Sequence, residues 1–196
     1  MTDKNHERIL KLALTALFAA LCYVIFTFLQ IKIPMPGGDA TSLHLGNAFC
    51  VLAALLLGGW YGGLAGAIGM TIADLMDPVY ITVAPKTFVL KLCIGLITGL
   101  VAHKVAHINE HHEKSYIFKW SLIASIAGLA FNVIADPLVG YFYKQYVLGQ
   151  PQEMASVLAK WSTATTFVNA VVSVILVSIL YNALRPALAK SGLKLV

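Results

Sequence analysis

Apolar runs long enough, or nearly long enough, to cross a bilayer recur along this 196-residue chain, and they constrain its fold more than any motif does. A spanning helix needs about 20 mainly apolar residues. Six segments qualify, at about 9–29, 43–57, 60–75, 84–105, 117–142 and 161–184, of which the second and third are short. Hydrophobic residues make up 59% of the chain and charged ones 12%, whereas an ordinary soluble domain carries about 25% charge. A chain apolar on all faces belongs in a membrane or a large core, and this one is too short for a large core. The expected fold is therefore an all-α integral membrane protein: a single membrane domain, 1–196, built as a six-transmembrane-helix bundle.

Basic residues set the orientation. Lys4, Arg8 and Lys11 precede the first span. Lys104, Lys114 and Lys119 lie around the connection after the fourth, and Arg185, Lys190 and Lys194 follow the sixth. Lysine and arginine concentrate on the cytoplasmic side of membrane proteins, so both termini are expected there. The net charge of +5 is then a topology signal, and no nucleic-acid partner is expected. The outer side receives a long Pro- and Gly-rich loop, "QIKIPMPGGDATSLHLGN", and the stretch "YKQYVLGQPQEMASVLAKW", which reads as a short interfacial helix. Cys22, Cys50 and Cys93 all fall inside apolar runs and read as buried small hydrophobes. Small residues recur four apart, as Ala16 and Ala20, as Ala65, Gly69 and Ala73, and as Gly95 and Gly99. Such stripes let helices approach closely. The turn "GGWYGG" predicts a tight hairpin between the second and third spans.

The charges inside the greasy segments carry the chemistry. Asp74 ends the third span, Asp77 follows it, and Lys86 and Lys91 open the fourth. The two lysines point roughly 140° apart on a helix. Lys86 is expected to snorkel to the outer interface. Lys91 lies deeper, and an ionisable residue at that depth faces a cavity or a partner. Asn132 and Asp136 share one face of the fifth span, and Ser162, Thr165, Thr166, Asn169 and Ser173 form a polar stripe on the sixth. The outer loops add Asp39, His44, Asn47 and Tyr80. Tyr141, Tyr143, Trp161 and Phe167 are the aromatics nearby. Together these describe an outward-facing pocket with donors, acceptors and stacking partners, suited to a small polar ring compound.

Other chemistries find less support. There is no Gly-rich phosphate loop and no GxSxG elbow. Asp74 and Asp77 form a lone DxxD that could hold a divalent cation with one more oxygen ligand. His103, His107, His111 and His112 would share a metal-capable face on a continuous helix, yet their place in a lysine-rich cytoplasmic connection favours a solvated helix end. Neither a metal nor a cofactor is expected.

The stretch from Lys32 through "KIPMPGGDATSLHLGNAFCVLAALLLGGWYGGLAGAIGMTIADL", followed by "YITVAPKTFVLKLCIGLITGLVAHK", resembles the S components of energy-coupling factor (ECF) vitamin transporters, most closely the riboflavin-type group. The resemblance rests on Pro34-Met35-Pro36-Gly37-Gly38, His44-Leu45-Gly46, Gly58, Tyr61-Gly62, Gly69, Asp74 and Thr87–Gly99. It covers the first half well, and the second half follows in hydropathy and in the placement of Asn132 and Asn169. It implies a six-helix bundle with cytoplasmic termini in a bacterial plasma membrane. It also implies an outward pocket closed by the first loop, and docking on a transmembrane coupling subunit through a small-residue motif that Ala16 and Ala20 match. Two separate ATPase subunits would energise transport, so the chain itself is expected not to be an enzyme. Members are described as toppling in the membrane, which suits a chain with few fixed charges. Where the family is expected to carry an aspartate after His-Leu-Gly, this chain has Asn47, and the ligand stays open among pyridoxine, riboflavin and a thiamine precursor. The expected substrate-binding set is Asp39, His44, Asn47, Asp74, Tyr80, Lys91, Asn132, Asp136, Tyr141 and Asn169. The alternative reading is a membrane enzyme or metal carrier that uses Asp74 and Asp77.

Overall fold

A computed structural model describes residues 3–190. Lys194, one of the positives used for orientation, lies outside them, as do the side chains of Lys4 and Lys190. The described chain forms six α-helices: α1 (Asp3–Phe28), α2 (Gly46–Leu57), α3 (Gly59–Leu75), α4 (Ala84–Gly99), α5 (Lys114–Phe142) and α6 (Gln152–Lys190). Four helical segments, Asn5–Phe28, Ile81–Val105, Lys114–Val147 and Gln152–Leu188, are long and apolar enough to cross a membrane. The two short segments noticed in the sequence are α2, of 12 residues, and α3, of 17. Nearly every residue of α2 is buried. This helix is the centre of the bundle, so it needs no lipid-facing face of its own.

The expectation of an all-α chain fails in one place. The long first loop is a β-hairpin in which β1 (Gln30–Pro34) pairs antiparallel with β2 (Ala40–His44), with Lys32 opposite Ser42. Its tip is Pro36–Gly38, where Gly37 and Gly38 both have φ near +80°. Two successive left-handed residues are readily adopted only by glycine. The stretch after α5 also differs from the expected separate interfacial helix: a π-type turn, Tyr143–Val147, ends α5, and α6 starts at Gln152 and runs unbroken through the sixth span. Pro85 sits in the first turn of α4, and the two prolines farther inside helices, Pro137 in α5 and Pro186 in α6, are accommodated without ending them.

Helix packing follows the small residues. The chain reverses at Gly58, and α3 lies against α2 at Gly62 and Gly66, where a Cβ would come within 2.2 Å of the Ala54 nitrogen and 2.3 Å of the Cys50 sulfur. Gly69 meets the Ala19 carbonyl of α1 at 2.2 Å in the same sense. A third face of α3, Gly59 and Gly63, receives Gly99 and Gly95 of α4. The stripes in α3 and α4 are thus internal contacts. Ala16 and Ala20 are different, because both are exposed on the outer face of α1. Cys22 and Cys50 are buried and Cys93 is half-buried, all as free thiols.

The histidines do not form one face. The helix containing His103 ends in a π-type turn, Leu100–Val105, and His107 has φ +47°. His103 contacts the Ala54 carbonyl and Asn109, His107 pairs with Glu110, and His111 packs on Tyr116. A broken helix sends the four imidazoles in separate directions, and no group of three metal-ligating side chains gathers among the described residues.

Candidate functional site

The polar residues converge at one end of the bundle. A cavity of about 120 Å³, room for on the order of ten water-sized groups, lies beneath the β-hairpin. It is walled by α4, α5 and α6 and floored by the ends of α2 and α3. An isolated two-stranded hairpin is marginal in water, so its position over the cavity depends on contacts with the helices. Asn169 of α6 supplies two: its Nδ2 donates to the Ser42 carbonyl at 3.0 Å, and its Oδ1 accepts from the His44 N–H at 3.0 Å. Thr41 shares a hydrogen bond of 2.7 Å with Thr165. At the rim, Lys144 pairs with Asp39 and Lys32 with Asp77. Lys32 also lies over the Tyr80 ring, 5.4 Å from its centre.

Asn169→Ala removes both amide contacts to β2. We expect it to cost about 2 kcal/mol and to speed amide exchange over 40–44, read by hydrogen–deuterium exchange. Unchanged protection there would show that the hairpin is held by other contacts.

Nine of the ten residues expected at the site line the cavity. The exception is Tyr141, whose ring turns away and packs edge-on against Phe142, with centres 5.2 Å apart. Trp161 and Phe167 are exposed, and Tyr143 uses its hydroxyl on the Thr82 carbonyl. The aromatic surface at the cavity comes instead from Phe26 and Tyr80, with His44 edge-on to Phe26 at 4.6 Å. Burial pushes the Tyr80 phenol up to about 12, so it stays protonated.

Lys86 also departs from expectation. Its side chain is mostly covered, 11% exposed, and lines the cavity, and its ammonium donates to Asp136 Oδ1 at 2.9 Å. The angular argument treated both lysines as pointing straight out from α4. A lysine in the first turn can instead bend across to α5, where its Nζ lies beside Gly140. The other oxygen of Asp136 accepts from Ser162 at 2.6 Å and from Thr166 at 3.4 Å. The polar stripe of α6 is thus divided: Ser162 and Thr166 complete this network, while Thr165 and Asn169 hold the hairpin. Lys91, the pairing candidate suggested for Asp136, lines the cavity without an ion-pair partner among the described residues.

Asp74 and Asp77 part company. Asp74 is buried and faces the cavity, whereas Asp77 engages Lys32 and the Val79 N–H and does not line it. The two carboxylates therefore do not form the joint cation or catalytic site of the alternative reading.

Four polar atoms stand out: the acceptors Asn47 Oδ1 and Asn132 Oδ1, with His44 Nδ1 and the Tyr80 hydroxyl, are buried without a hydrogen-bond partner, and their residues all line the one cavity. Each such orphan costs about 1–3 kcal/mol, and buried polar atoms in native proteins are nearly always satisfied. Sequence reasoning did not pick out Phe26, Thr41, Ser42, Lys86 or Lys144. For the hairpin pair the signal was present: a Gly-Gly turn flanked by the β-branched Ile31, Ile33 and Thr41 is a hairpin pattern.

Comparison with known proteins places this geometry. The fold is similar to that of a solved structure of ThiT from Listeria monocytogenes, with a TM-score of 0.64 over 90% of this chain and 95% of the other. At 18% identity that likeness is one of fold. None of the curated proteins matches the chain. A model of the family described as ECF-type riboflavin transporter, S component, matches residues 6–186. With nearly the whole length covered, the chain belongs to the family of ECF-type riboflavin transporter S components, the substrate-binding membrane subunits of vitamin transporters.

Proposed function

We propose that the chain captures a small ring vitamin or vitamin precursor, riboflavin-like or pyridoxine-like, from the outer side of a bacterial plasma membrane. It then delivers the compound together with a separate coupling subunit and two ATPase subunits. The observation that carries this reading is the set of unpartnered polar atoms on Asn47, Asn132 and His44 around a cavity roofed by the hairpin. A bound molecule that hydrogen-bonds to them offsets their desolvation. The orientation has support of its own. Arg8 and Lys11 begin α1, Lys114 and Lys119 begin α5, and Arg185 reaches the Ile108 carbonyl at 2.8 Å. This basic end lies opposite the helix ends that line the cavity. With basic residues inside, the cavity opens outward and both termini are cytoplasmic.

The test is native mass spectrometry of the purified protein in mild detergent, with extraction and identification of any co-purified molecule. A stoichiometric vitamin supports the reading. An empty protein that also ignores a panel of B-type vitamins overturns it.

Ala16 and Ala20 present a small-residue face on α1 to which a helix of the coupling subunit can dock. Ala16→Trp is expected to leave vitamin affinity unchanged within about twofold while abolishing co-purification of the coupling subunit. Joint loss of binding and folding would place Ala16 in the bundle's own packing.

A further inference from the structure

The cavity's charges sort into two classes. Three lysines and three aspartates line it, a neutral total: Lys86, Lys91 and Lys144 against Asp39, Asp74 and Asp136. Lys86 is taken by Asp136 and Lys144 by Asp39. Lys91 and Asp74 are left over. They are 7% and 2% exposed, yet neither has an opposite charge within the 4.0 Å of a salt bridge among the described residues, and so they do not pair with each other. Asp74 accepts from the Thr87 hydroxyl, with the Lys91 and Lys86 charges farther off. A buried ammonium and a buried carboxylate, held apart in one cavity, cost free energy until each meets a counter-charge.

We infer that this separated pair selects an amphoteric ring, a small heteroaromatic whose acidic ring hydroxyl lends negative charge to Lys91 and whose protonated ring nitrogen donates to Asp74. That is a hydroxypyridine of the pyridoxine class. The inference deepens the vitamin-binding reading and rests on it. A net anion would satisfy Lys91 and leave Asp74 facing a like charge; a net cation would do the reverse. A neutral imide, as in a flavin, would leave both buried charges with neutral partners, the weaker kind of contact. Hydroxymethyl groups on the ring would donate to the open acceptors of Asn47 and Asn132.

Calorimetry on the full-length protein in detergent tests this, with pyridoxine, its analogue lacking the ring hydroxyl, and riboflavin as probes. Pyridoxine should bind, and loss of the ring hydroxyl should weaken binding at least ~tenfold. Lys91→Met should weaken pyridoxine by a similar factor yet leave the deoxy analogue within about threefold, since the contact it removes is already absent there. If that variant does not fold, the comparison of the two ligands on the unchanged protein decides alone. Equal affinity for pyridoxine and its deoxy analogue overturns the inference. Tight riboflavin binding without pyridoxine binding also overturns it, and leaves the vitamin-binding reading standing. Binding of neither these nor any other vitamin of the panel overturns both.

Discussion

Asp136→Ala is expected to destabilise the protein by about 1–3 kcal/mol, because it removes the acceptor of a partly buried ion pair and of two hydroxyls. Asp136 lines the cavity and accepts from Lys86, Ser162 and Thr166. Its loss leaves an ammonium and two hydroxyls without their acceptor. Thermal unfolding in detergent reads the effect. The double variant Lys86→Met/Asp136→Leu carries no orphaned charge, so it should recover more than half of what the single change loses. A double variant as unstable as the single one would mean that shape at this position matters more than charge. Such a result would remove the pair from the account of why α4 and α5 hold together beside the cavity.

Gly95→Val is expected to cost about 3 kcal/mol or more, at the upper end of overpacking changes. A Cβ on residue 95 would lie 2.2 Å from the Gly63 Cα and 2.3 Å from its nitrogen. Those are backbone atoms that cannot swing aside, so α3 and α4 would have to separate. Gly99 against Gly59 repeats the contact one turn on, with a Cβ again 2.2 Å from the Cα opposite. Because α4 carries Lys86, Thr87 and Lys91, separation would also displace one cavity wall. Loss of both thermal stability and vitamin affinity is the expected pair of readouts. A variant that melts normally would show that the two helices tolerate a wider spacing than the glycines imply.

The same glycines show how much a one-dimensional reading can hold. Gly95 and Gly99 are legible as a packing stripe because spacing by four puts them on one face of a helix. Their partners, Gly59 and Gly63, are also four apart, but nothing local says which stripe meets which. The pocket shows the same limit. Asn132, Asp136, Lys91 and Asn169 stood out because polar groups in apolar helices are costly and therefore purposeful. Their roles then diverged for reasons that lie in other segments. Asn169 spends both ends of its amide on the backbone of β2. Asp136 is claimed by Lys86 rather than Lys91, because the Lys86 side chain reaches across from α4 to α5. Tyr141, Trp161 and Phe167 looked like stacking partners by proximity in sequence, yet a helix turns its successive residues through 100°, and these three fall on faces away from the cavity.

Composition and apolar length alone determined that this chain is a membrane protein of packed helices, because hydropathy is a property of each residue and sums without knowledge of neighbours. The motifs of its first half likewise sufficed to identify the family. Tertiary structure alone decided that the Pro- and Gly-rich loop is a hairpin roofing a cavity. It alone decided that Asp74 and Asp77 serve different partners, and that, of the six charges lining the cavity, Lys91 and Asp74 have no ion-pair partner among the described residues. Which charge a side chain meets depends on distances between segments far apart in the chain, and those distances exist only once the helices have packed.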